Sequence, residues 1–373
     1  MSATDESPAE AQVERLDPAR MRTIGLVLLA VTIVGGLLFF EVAVRMFWDA
    51  PYSMDDREMV LRTSEIPELE YELIPGSAGV AWGTDVRVNS HGLRGPEVPK
   101  QKGEKYRIAV IGDSVAFGNL LPEEVVFPYR LQALLDDEPG AFDVLNFSVG
   151  GYDIVQEVAL AEHRVVDFEP DLVVLAFSMN DAWVSSINTD YLAHVQTLKK
   201  NPLFASHLYR FAVSQFGRAS LGKDIDALNS AEVFKQRYRD HIDPIGADEQ
   251  PLRQLMASVP PGNLVWYRDD FRIGRVRHSL GKLAQLASRE GFDVVVMVVP
   301  YMVWEDGAYR FRMIHEILKG EVERAGFTFL DPLEEFLQHS TAELRAKPGD
   351  PAHPNALGHG IMAETLHAHL LGL

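Results

Sequence analysis

The sequence predicts an α/β protein with a three-layer α/β/α fold built on a central parallel five-stranded sheet, with an N-terminal transmembrane helix and an insertion after the third strand. Three observations lead to this prediction. From residue 106 onward, short apolar runs rich in β-branched residues alternate with longer amphipathic segments, a pattern typical of buried parallel strands joined by helices. A continuous apolar stretch near the amino terminus predicts a transmembrane helix. A long segment without the alternation predicts an insertion after the third strand.

Length and composition limit what the chain can be. Its 373 residues are 47% hydrophobic, which is enough for one large core with additional lobes. With 54 acidic against 35 basic residues, the formal net charge is −19, and such a surface repels phosphate backbones. We therefore expect no nucleic-acid partner. The absence of cysteine excludes disulfides, thiolate metal sites and a cysteine nucleophile.

The amino-terminal region divides into two segments. Residues 1–22 are polar, rich in Asp, Glu, Ala and Pro, and predict a disordered tail. Residues 23–45 predict a membrane anchor, because Ile24 to Phe40 is apolar apart from Thr32 and three glycines. This stretch spans about 26 Å, at the short end of what a bilayer requires. A buried core helix is disfavoured, since the segment is apolar all round and follows a disordered tail.

A cleavable signal peptide is the other alternative to an anchor. The long acidic leader and the lack of a convincing small-x-small site near residues 48–50 favour an uncleaved helix. Three arginines precede the apolar stretch and one follows it closely, namely Arg15, Arg20, Arg22 and Arg45. The positive-inside rule therefore places the tail in the cytoplasm and the chain from Tyr52 onward outside it. We expect a single-pass inner-membrane protein whose folded part is periplasmic.

Residues 46–105 predict a small lobe of strands and loops. Proline and glycine punctuate this region, and Gly79 to Val88 alternates as a hairpin does. Its end, Asn89 to Glu97, is rich in turn residues. Either His91 or Arg94 reaches a functional site from here, or Arg94 caps a hairpin by satisfying carbonyls or a carboxylate. We favour the second interpretation.

Residues 106–373 predict the main domain. The five strands of its sheet are expected at Tyr106–Ile111, Phe142–Phe147, Leu172–Phe177, Val294–Val299 and Phe327–Leu330. Helices are expected from Pro128, after a capping box of Asp153 and Gln156, and over Phe271–Glu290, Tyr309–Arg324, Glu334–Arg345 and Ala356–Leu371. The third strand and its returning helix are separated by the insertion.

The insertion, residues 182–270, contains many aromatic residues and helical fragments such as Phe204 to Phe216. Because it follows the carboxyl end of a strand, we interpret it as a lid or substrate-selecting cap. Its aromatic residues are more simply explained as its own small core than as a ligand-binding box. A further alternative is that part of it faces the membrane.

Four short motifs follow the ends of predicted strands or precede the last helix. Gly112-Asp113-Ser114 ends the first strand, where glycine allows a sharp turn and leaves the serine hydroxyl at the carboxyl edge of the sheet. The others are Asn146-Phe147-Ser148-Val149-Gly150-Gly151-Tyr152, Ser178-Met179-Asn180-Asp181 and Asp350-Pro351-Ala352-His353-Pro354-Asn355. A lone Gly-Asp-Ser tripeptide is ordinary turn chemistry. Four motifs that one sheet brings to a single edge indicate a site.

With these motifs the chain resembles the SGNH hydrolases, also called GDSL esterases, over roughly residues 106–181 and 271–373. The resemblance implies a flavodoxin-like order for the five strands of the sheet and a catalytic triad of Ser114, Asp350 and His353. A serine hydroxyl needs an adjacent base to act as a nucleophile, and His353 is that base. Asp350 fixes the tautomer and the charge of the imidazole.

The resemblance also implies an oxyanion hole. Its donors are the backbone N–H groups of Ser114 and Gly151 and the side chain of Asn180, which stabilise the negative charge of the transition state. We choose Gly151 over the adjacent Gly150 because its spacing from the start of its motif fits the family pattern. Ser178 departs from that pattern, which has glycine at this position.

Other polar residues near the motifs are interpreted as structural. Asp113 and Asp181 are expected to brace loops, and His359 is expected to pack within its helix. No His, Asp and Glu cluster has metal-ligand spacing, and no glycine-rich phosphate loop follows the first strand. We therefore expect neither a cofactor nor a metal site.

Three functions remain open at this point. The turn-rich segment before the serine motif resembles bacterial, envelope-associated members of the family, which implies an ester of the envelope as substrate, such as an acetylated glycan or an acyl lipid. The leading hypothesis is a membrane-anchored extracytoplasmic serine esterase that works through an acyl-serine intermediate. The alternative is an O-acyltransferase that uses the same serine on an envelope or exported polysaccharide. The complete set of five site residues argues against a non-catalytic glycan-binding scaffold.

Overall fold

The structure is a computed structural model that describes residues 17–48, 60–139, 141–182, 192, 202–212, 270–305 and 308–372. Most of the predicted tail and most of the 182–270 insertion therefore lie outside the described residues. Within the insertion, a short 3₁₀ turn covers Pro202–Ala205 and residues 207–212 are helical.

The amino-terminal apolar stretch forms one helix, α1 (Pro18–Phe47), of 30 residues. Asp17 caps it by accepting a hydrogen bond from the Ala19 N–H. None of its residues is buried against the rest of the protein, so it is not a core helix. Among the described residues it is the one helix long and apolar enough to cross a membrane, with a mean hydropathy of 2.5. A signal sequence would have the same properties.

Two antiparallel hairpins precede the main domain. Strands β1 (Leu61–Thr63) and β2 (Tyr71–Leu73) form the first, and β3 (Ala78–Ala81) and β4 (Thr84–Arg87) form the second. The apolar side chains of these hairpins join the same continuous core as the main domain.

The central sheet has five parallel strands, as predicted. The strands of the main domain are β5 (Tyr106–Gly112), β6 (Phe142–Asn146), β7 (Leu172–Ser178), β8 (Asp293–Val299), β9 (Trp304–Glu305), β10 (Ala308–Tyr309) and β11 (Thr328–Leu330). All but the antiparallel pair β9 and β10 join one sheet in the order β11-β8-β7-β5-β6. This is the predicted flavodoxin-like order. Every residue of β7 is buried, which requires layers on both faces of the sheet.

Helices supply the two outer layers. They are α2 (Ser114–Phe117), α3 (Phe127–Asp136), α4 (Ile154–Leu160), α5 (Asp270–Glu290), α6 (Arg312–Arg324), α7 (Leu333–Phe336), α8 (Thr341–Leu344) and α9 (Ala356–Leu371). Helix α3 packs with α9, and α5 packs with α4 and α6. The predicted capping box of Asp153 and Gln156 is present at the start of α4.

Two helix predictions need correction. The segment predicted as Tyr309–Arg324 becomes helical only at Arg312, because Ala308 and Tyr309 pair with β9 instead. The segment predicted as one helix over Glu334–Arg345 is divided into α7 and α8. Ser340 forms a capping box with Glu343, which starts a new helix and interrupts the first.

Candidate active site

Three motifs meet because neighbouring parallel strands end at the same edge of the sheet. Strands β5, β6 and β7 are adjacent, and their carboxyl ends carry Gly112, Asn146 and Ser178. Gly112 has no room for a side chain, since a Cβ atom there would lie 2.8 Å from the Ala116 Cβ and 3.0 Å from the Ala176 carbonyl oxygen. Glycine thus lets the chain turn sharply from the strand into the helix that begins with serine.

Ser114 is the first residue of the short helix α2. Asp113 caps this helix, and its Oδ1 accepts a hydrogen bond of 2.8 Å from the Val115 N–H. At the other end, the buried guanidinium of Arg94 donates through Nη1 to the carbonyl oxygens of Phe117 (2.6 Å) and Gly118 (2.9 Å). As the preferred interpretation of Arg94 expected, its guanidinium satisfies carbonyls, but these lie mainly at the end of the serine helix and in the turn after it, so Arg94 does not simply cap a hairpin. Arg94 also fixes the end of the serine helix to the hairpin lobe.

Ser114, His353 and Asp350 form one chain of hydrogen bonds. The Ser114 Oγ lies 2.9 Å from His353 Nε2, and His353 Nδ1 lies 2.8 Å from Asp350 Oδ2. Because an ionised carboxylate only accepts hydrogen bonds, Nδ1 carries the ring proton and Nε2 is left to accept from the serine. The geometry therefore gives the imidazole the tautomer that a general base requires.

The electrostatics of the pair agree with this tautomer. Partial burial favours the neutral form of Asp350. The carboxylate is nevertheless stabilised by its hydrogen bond to the His353 ring, by the charge of that ring, and by hydrogen bonds from the Ala352 and His353 N–H groups. Together these interactions outweigh burial and lower the pKa of Asp350 to about 2. Burial likewise favours neutral His353, but the hydrogen bond and charge of Asp350, with the charge of Asp113, raise its pKa above 6.5. The carboxylate is ionised, and the imidazole binds a proton readily.

Asp113 organises the surroundings of the serine. Its Oδ2 accepts a hydrogen bond from Asn180 Nδ2 (2.7 Å), and its Oδ1 accepts one from Ser178 Oγ (3.1 Å). Ser114 Oγ lies 3.2 Å from the same Oδ2, which is the alternative acceptor for the one hydroxyl hydrogen that otherwise goes to His353. The predicted bracing role of Asp113 agrees with these contacts. Ser178, which stands where the family has glycine, adds a further hydrogen bond to the same carboxylate.

Tyr301 is a residue of the site that the sequence did not identify. Its hydroxyl donates a hydrogen bond of 3.0 Å to Asn180 Oδ1. Burial, with the charges of three nearby aspartates, raises the pKa of this phenol, so it stays protonated and keeps donating. The contact fixes the direction of the Asn180 amide, because its oxygen faces Tyr301 and its nitrogen faces Asp113. A position at the end of β8 was the one signal in the sequence.

Gly151 lies in the turn that follows β6. Its backbone φ is +87°, in the left-handed region that favours glycine. Within the described parts of the chain, the backbone N–H groups of Ser114 and Gly151 donate to no other group. Asn180 Nδ2 carries two hydrogens, of which one is directed at Asp113.

A buried acidic pair lies behind the asparagine motif. Asp181 Oδ2 accepts a 2.6 Å hydrogen bond from the Ser178 N–H. Burial, together with the nearby negative charge of Glu157, raises the pKa of Asp181. Burial also raises the pKa of Glu157, whose oxygens have no hydrogen-bond partner among the described residues. Asp181 supports its loop, as predicted, and is not placed to contact the serine hydroxyl.

Two further histidines, His359 and His91, have structural environments. His359 is fully buried, and its Nδ1 accepts a hydrogen bond of 3.1 Å from the Phe127 N–H. Burial, with the charge of Arg130, lowers its pKa to about 3. This confirms that His359 is a packing residue. His91 packs edge-on against Phe168. Across the described ranges, no group of three or more His, Asp and Glu side chains is arranged to hold a metal ion.

Comparison with known proteins gives a family match for most of the chain. Residues 110–361 match the model of the GDSL-like Lipase/Acylhydrolase family. This range includes the serine, asparagine and histidine motifs. No curated protein matches the chain.

Several solved structures resemble the chain remotely. A catalytic mutant of the acetylxylan esterase Axe2 from Geobacillus stearothermophilus is 16% identical, with a TM-score of 0.41, over 73% of this chain and 96% of that one. LAE5, an alpha/beta hydrolase from the metagenome of Lake Arreo in Spain, is 17% identical, with a TM-score of 0.39, over 70% and 94%. TesA is 14% identical, with a TM-score of 0.39, over 71% and 99%. Likenesses this remote do not indicate a substrate for this chain.

Proposed function

The chain belongs to the GDSL-like lipase/acylhydrolase family and is a carboxylic ester hydrolase, and on that premise we propose that it is a membrane-anchored extracytoplasmic serine esterase. The observation that carries the proposed chemistry is the continuous hydrogen-bond chain from Asp350 through His353 to Ser114 Oγ, which ends at a partly exposed serine on the carboxyl edge of the sheet. A serine attached in this way to a correctly oriented base is an activated nucleophile.

The proposed reaction has two halves. His353 Nε2 takes the proton of Ser114 as Oγ attacks the ester carbonyl carbon, and it gives that proton to the leaving alkoxide as the C–O bond breaks. This leaves an acyl group on Ser114 and releases the alcohol. In the second half, water gives its proton to Nε2 and its oxygen to the acyl carbon, and Ser114 regains its proton as the acid leaves. Asp350 stays ionised and stabilises the imidazolium in both halves.

The proposed oxyanion hole uses donors that other groups leave available. They are the backbone N–H groups of Ser114 and Gly151 and the second hydrogen of Asn180 Nδ2. Tyr301 and Asp113 hold that amide in a fixed orientation before substrate binds, so stabilising the oxyanion requires no reorganisation of the asparagine.

The proposed location rests on α1. It has a mean hydropathy of 2.5, exposes its apolar side chains, and has more arginines before its apolar stretch than after it. An anchored enzyme on the outer side of the membrane meets esters of the envelope. We therefore propose an acetylated glycan or an acyl lipid as the substrate class.

A chain-length series of nitrophenyl esters tests the function. The full chain in detergent should release nitrophenol and acid, and Ser114→Ala should abolish both the release and labelling by a fluorophosphonate. Preference for acetyl esters supports a glycan substrate, and preference for long acyl chains supports a lipid. Labelled Ser114 without hydrolysis, with transfer of the acyl group to an added saccharide instead, would replace the esterase by the O-acyltransferase. An unlabelled serine in a folded protein would contradict both.

A further inference from the structure

Helix α1 contains a single acidic residue, Glu41, directly after its uninterrupted apolar stretch. A carboxylate on a membrane helix is costly unless it is paired, so its partner indicates why it is there. The Glu41 side chain is only 18% exposed, whereas Phe40 and Val42 beside it are 57% and 54% exposed. Another part of the protein therefore covers Glu41, and it also partly covers Ala43 and Val44 on the same turns of the helix.

The cover is the described part of the insertion. Glu41 Oε2 accepts hydrogen bonds from Ser206 Oγ (2.7 Å) and the Leu208 N–H (2.8 Å). Oε1 accepts from the His207 N–H (2.9 Å) and from Arg45 Nε (2.8 Å). The Glu41 carboxylate thus accepts from N–H groups in the first turn of helical residues 207–212. It caps the amino end of that helix in place of a local N-cap side chain.

A second contact joins the carboxyl end of α1 to helical residues 207–212. The rings of Trp48 and Phe211 meet edge to face, with their centroids 5.0 Å apart. Hydrogen bonds at one end and an aromatic pair at the other hold residues 206–211 beside the last turns of α1. Removal of α1 by cleavage would leave the His207 and Leu208 N–H groups without these acceptors.

The position of the contact along α1 determines its depth. The apolar stretch of about 26 Å ends at Phe40, so a bilayer centred on it places Glu41 at the boundary of the hydrocarbon. Arg45 and Trp48 then lie among the lipid headgroups, where basic and aromatic side chains are favoured. Leu203 lies in the 3₁₀ turn Pro202–Ala205, directly before Ser206, whose hydroxyl binds Glu41, and it is 60% exposed.

We propose that residues 202–212 of the insertion form a second membrane contact, which Glu41 holds on the outer surface of the lipid bilayer. The proposal rests on the proposed anchoring by α1. It requires that α1 is retained in the mature protein, and it makes the insertion a segment oriented by the membrane.

Site-specific labelling tests this directly, because the chain has no cysteine to remove. Single variants Leu203→Cys, Val31→Cys and Leu357→Cys of the full chain are labelled with an environment-sensitive fluorophore. Each is reconstituted into vesicles of phosphatidylethanolamine and phosphatidylglycerol that contain doxyl-labelled lipid as a quencher. Val31 reports on α1, and Leu357, which is 42% exposed on α9, is the comparison position on the surface of the main domain.

We expect quenching at positions 31 and 203 and little at 357. In a Glu41→Gln background, the amide cannot accept from all four donors, so quenching at 203 should fall toward the level at 357 while quenching at 31 persists. Quenching at 31 without quenching at 203, or quenching at 203 that Glu41→Gln leaves unchanged, would overturn the docking and leave the anchor in place. Absence of quenching at 31, or a mature mass that lacks residues 17–48, would overturn the anchor as well.

Discussion

Two hydrogen-bond chains in this molecule each join a carboxylate, an imidazole and a hydroxyl, but they lie in different environments. In one, Asp350 binds His353, which binds the Ser114 hydroxyl, at 2.8 and 2.9 Å. In the other, Asp331 binds His315, which binds the Tyr309 hydroxyl, at 2.8 and 3.0 Å. An arrangement of acid, imidazole and hydroxyl therefore does not by itself identify an active site.

The surroundings of the two hydroxyls differ. Ser114 begins a helix at the carboxyl edge of the sheet and is only partly buried, next to Asp113, which binds Asn180. Tyr309 is buried, and its pKa is raised by that burial, so its hydroxyl is held in the neutral form. His315 beside it is 2% exposed. Access and oxyanion donors, more than the hydrogen-bond chain, distinguish a nucleophile from a structural hydroxyl.

The largest expected effect comes from removing the two hydroxyls in turn. Ser114→Ala should lower kcat for nitrophenyl ester hydrolysis by at least about 10⁴-fold, because no nucleophile remains. Tyr309→Phe removes the hydroxyl from the second hydrogen-bond chain, which Tyr309 forms with His315 and Asp331. It should keep kcat near that of the wild type and lower the free energy of unfolding by about 1 kcal/mol. If both variants are folded and lose activity equally, Tyr309 is not merely a structural hydroxyl, and the proposed difference from Ser114 is wrong.

The carboxylates allow a second comparison. Asp350→Asn should lower kcat by on the order of 10³- to 10⁴-fold, since an amide does not hold the imidazole in the tautomer that accepts the serine proton. Asp331→Asn removes the equivalent bond from His315 and should leave kcat largely unchanged. Circular dichroism on both variants checks that each is folded. A large loss of activity in Asp331→Asn would show that the second chain also supports catalysis.

Much of this site could be predicted because it follows from backbone topology. A strand rich in β-branched residues ends at Gly112, and parallel strands bring their carboxyl ends together, so the serine and asparagine motifs had to meet. His353 and Asp350 came from the resemblance, because nothing local indicates where a loop between α8 and α9 lies in space.

Tyr301 could not be predicted, because its contact depends on the register between β7 and β8. Ser178 is paired with Val299, so Asn180 and Tyr301 each lie just beyond the paired strand ends. A one-residue change in register would send the tyrosine to the other face. The second acid, imidazole and hydroxyl chain was missed for a related reason: Tyr309 was predicted in a helix, whereas it lies in β10.

Tyr301 gives a smaller effect with a matched control. Tyr301→Phe should lower kcat by about tenfold, the equivalent of one hydrogen bond, with little change in KM, because the Asn180 amide loses its fixed orientation. Tyr106→Phe is the control, because Tyr106 is a 39% exposed tyrosine at the opposite end of β5 from the serine. In an Asn180→Ala background, Tyr301→Phe should have no further effect on kcat. Additive losses would mean that Tyr301 acts independently of the asparagine.

The smallest effect concerns pH, where activity and stability of the Asp350 and His353 pair should change in opposite directions. The base must be neutral, so kcat/KM rises with pH through the raised pKa of His353. A folded pKa above 6.5 means that the stability from this imidazolium is fully present below pH 6.5 and is lost as the pH rises through the folded value. Asp350, whose pKa is about 2, stays ionised across this window.

The variant Asp350→Asn tests this pH dependence. The pKa of His353 should fall in it, so the acidic limb of the residual activity should move to lower pH. The decrease in unfolding free energy with rising pH should also become smaller. Asp331→Asn should leave the limb unchanged. A limb that stays in place in Asp350→Asn would mean that another group controls the titration of the base.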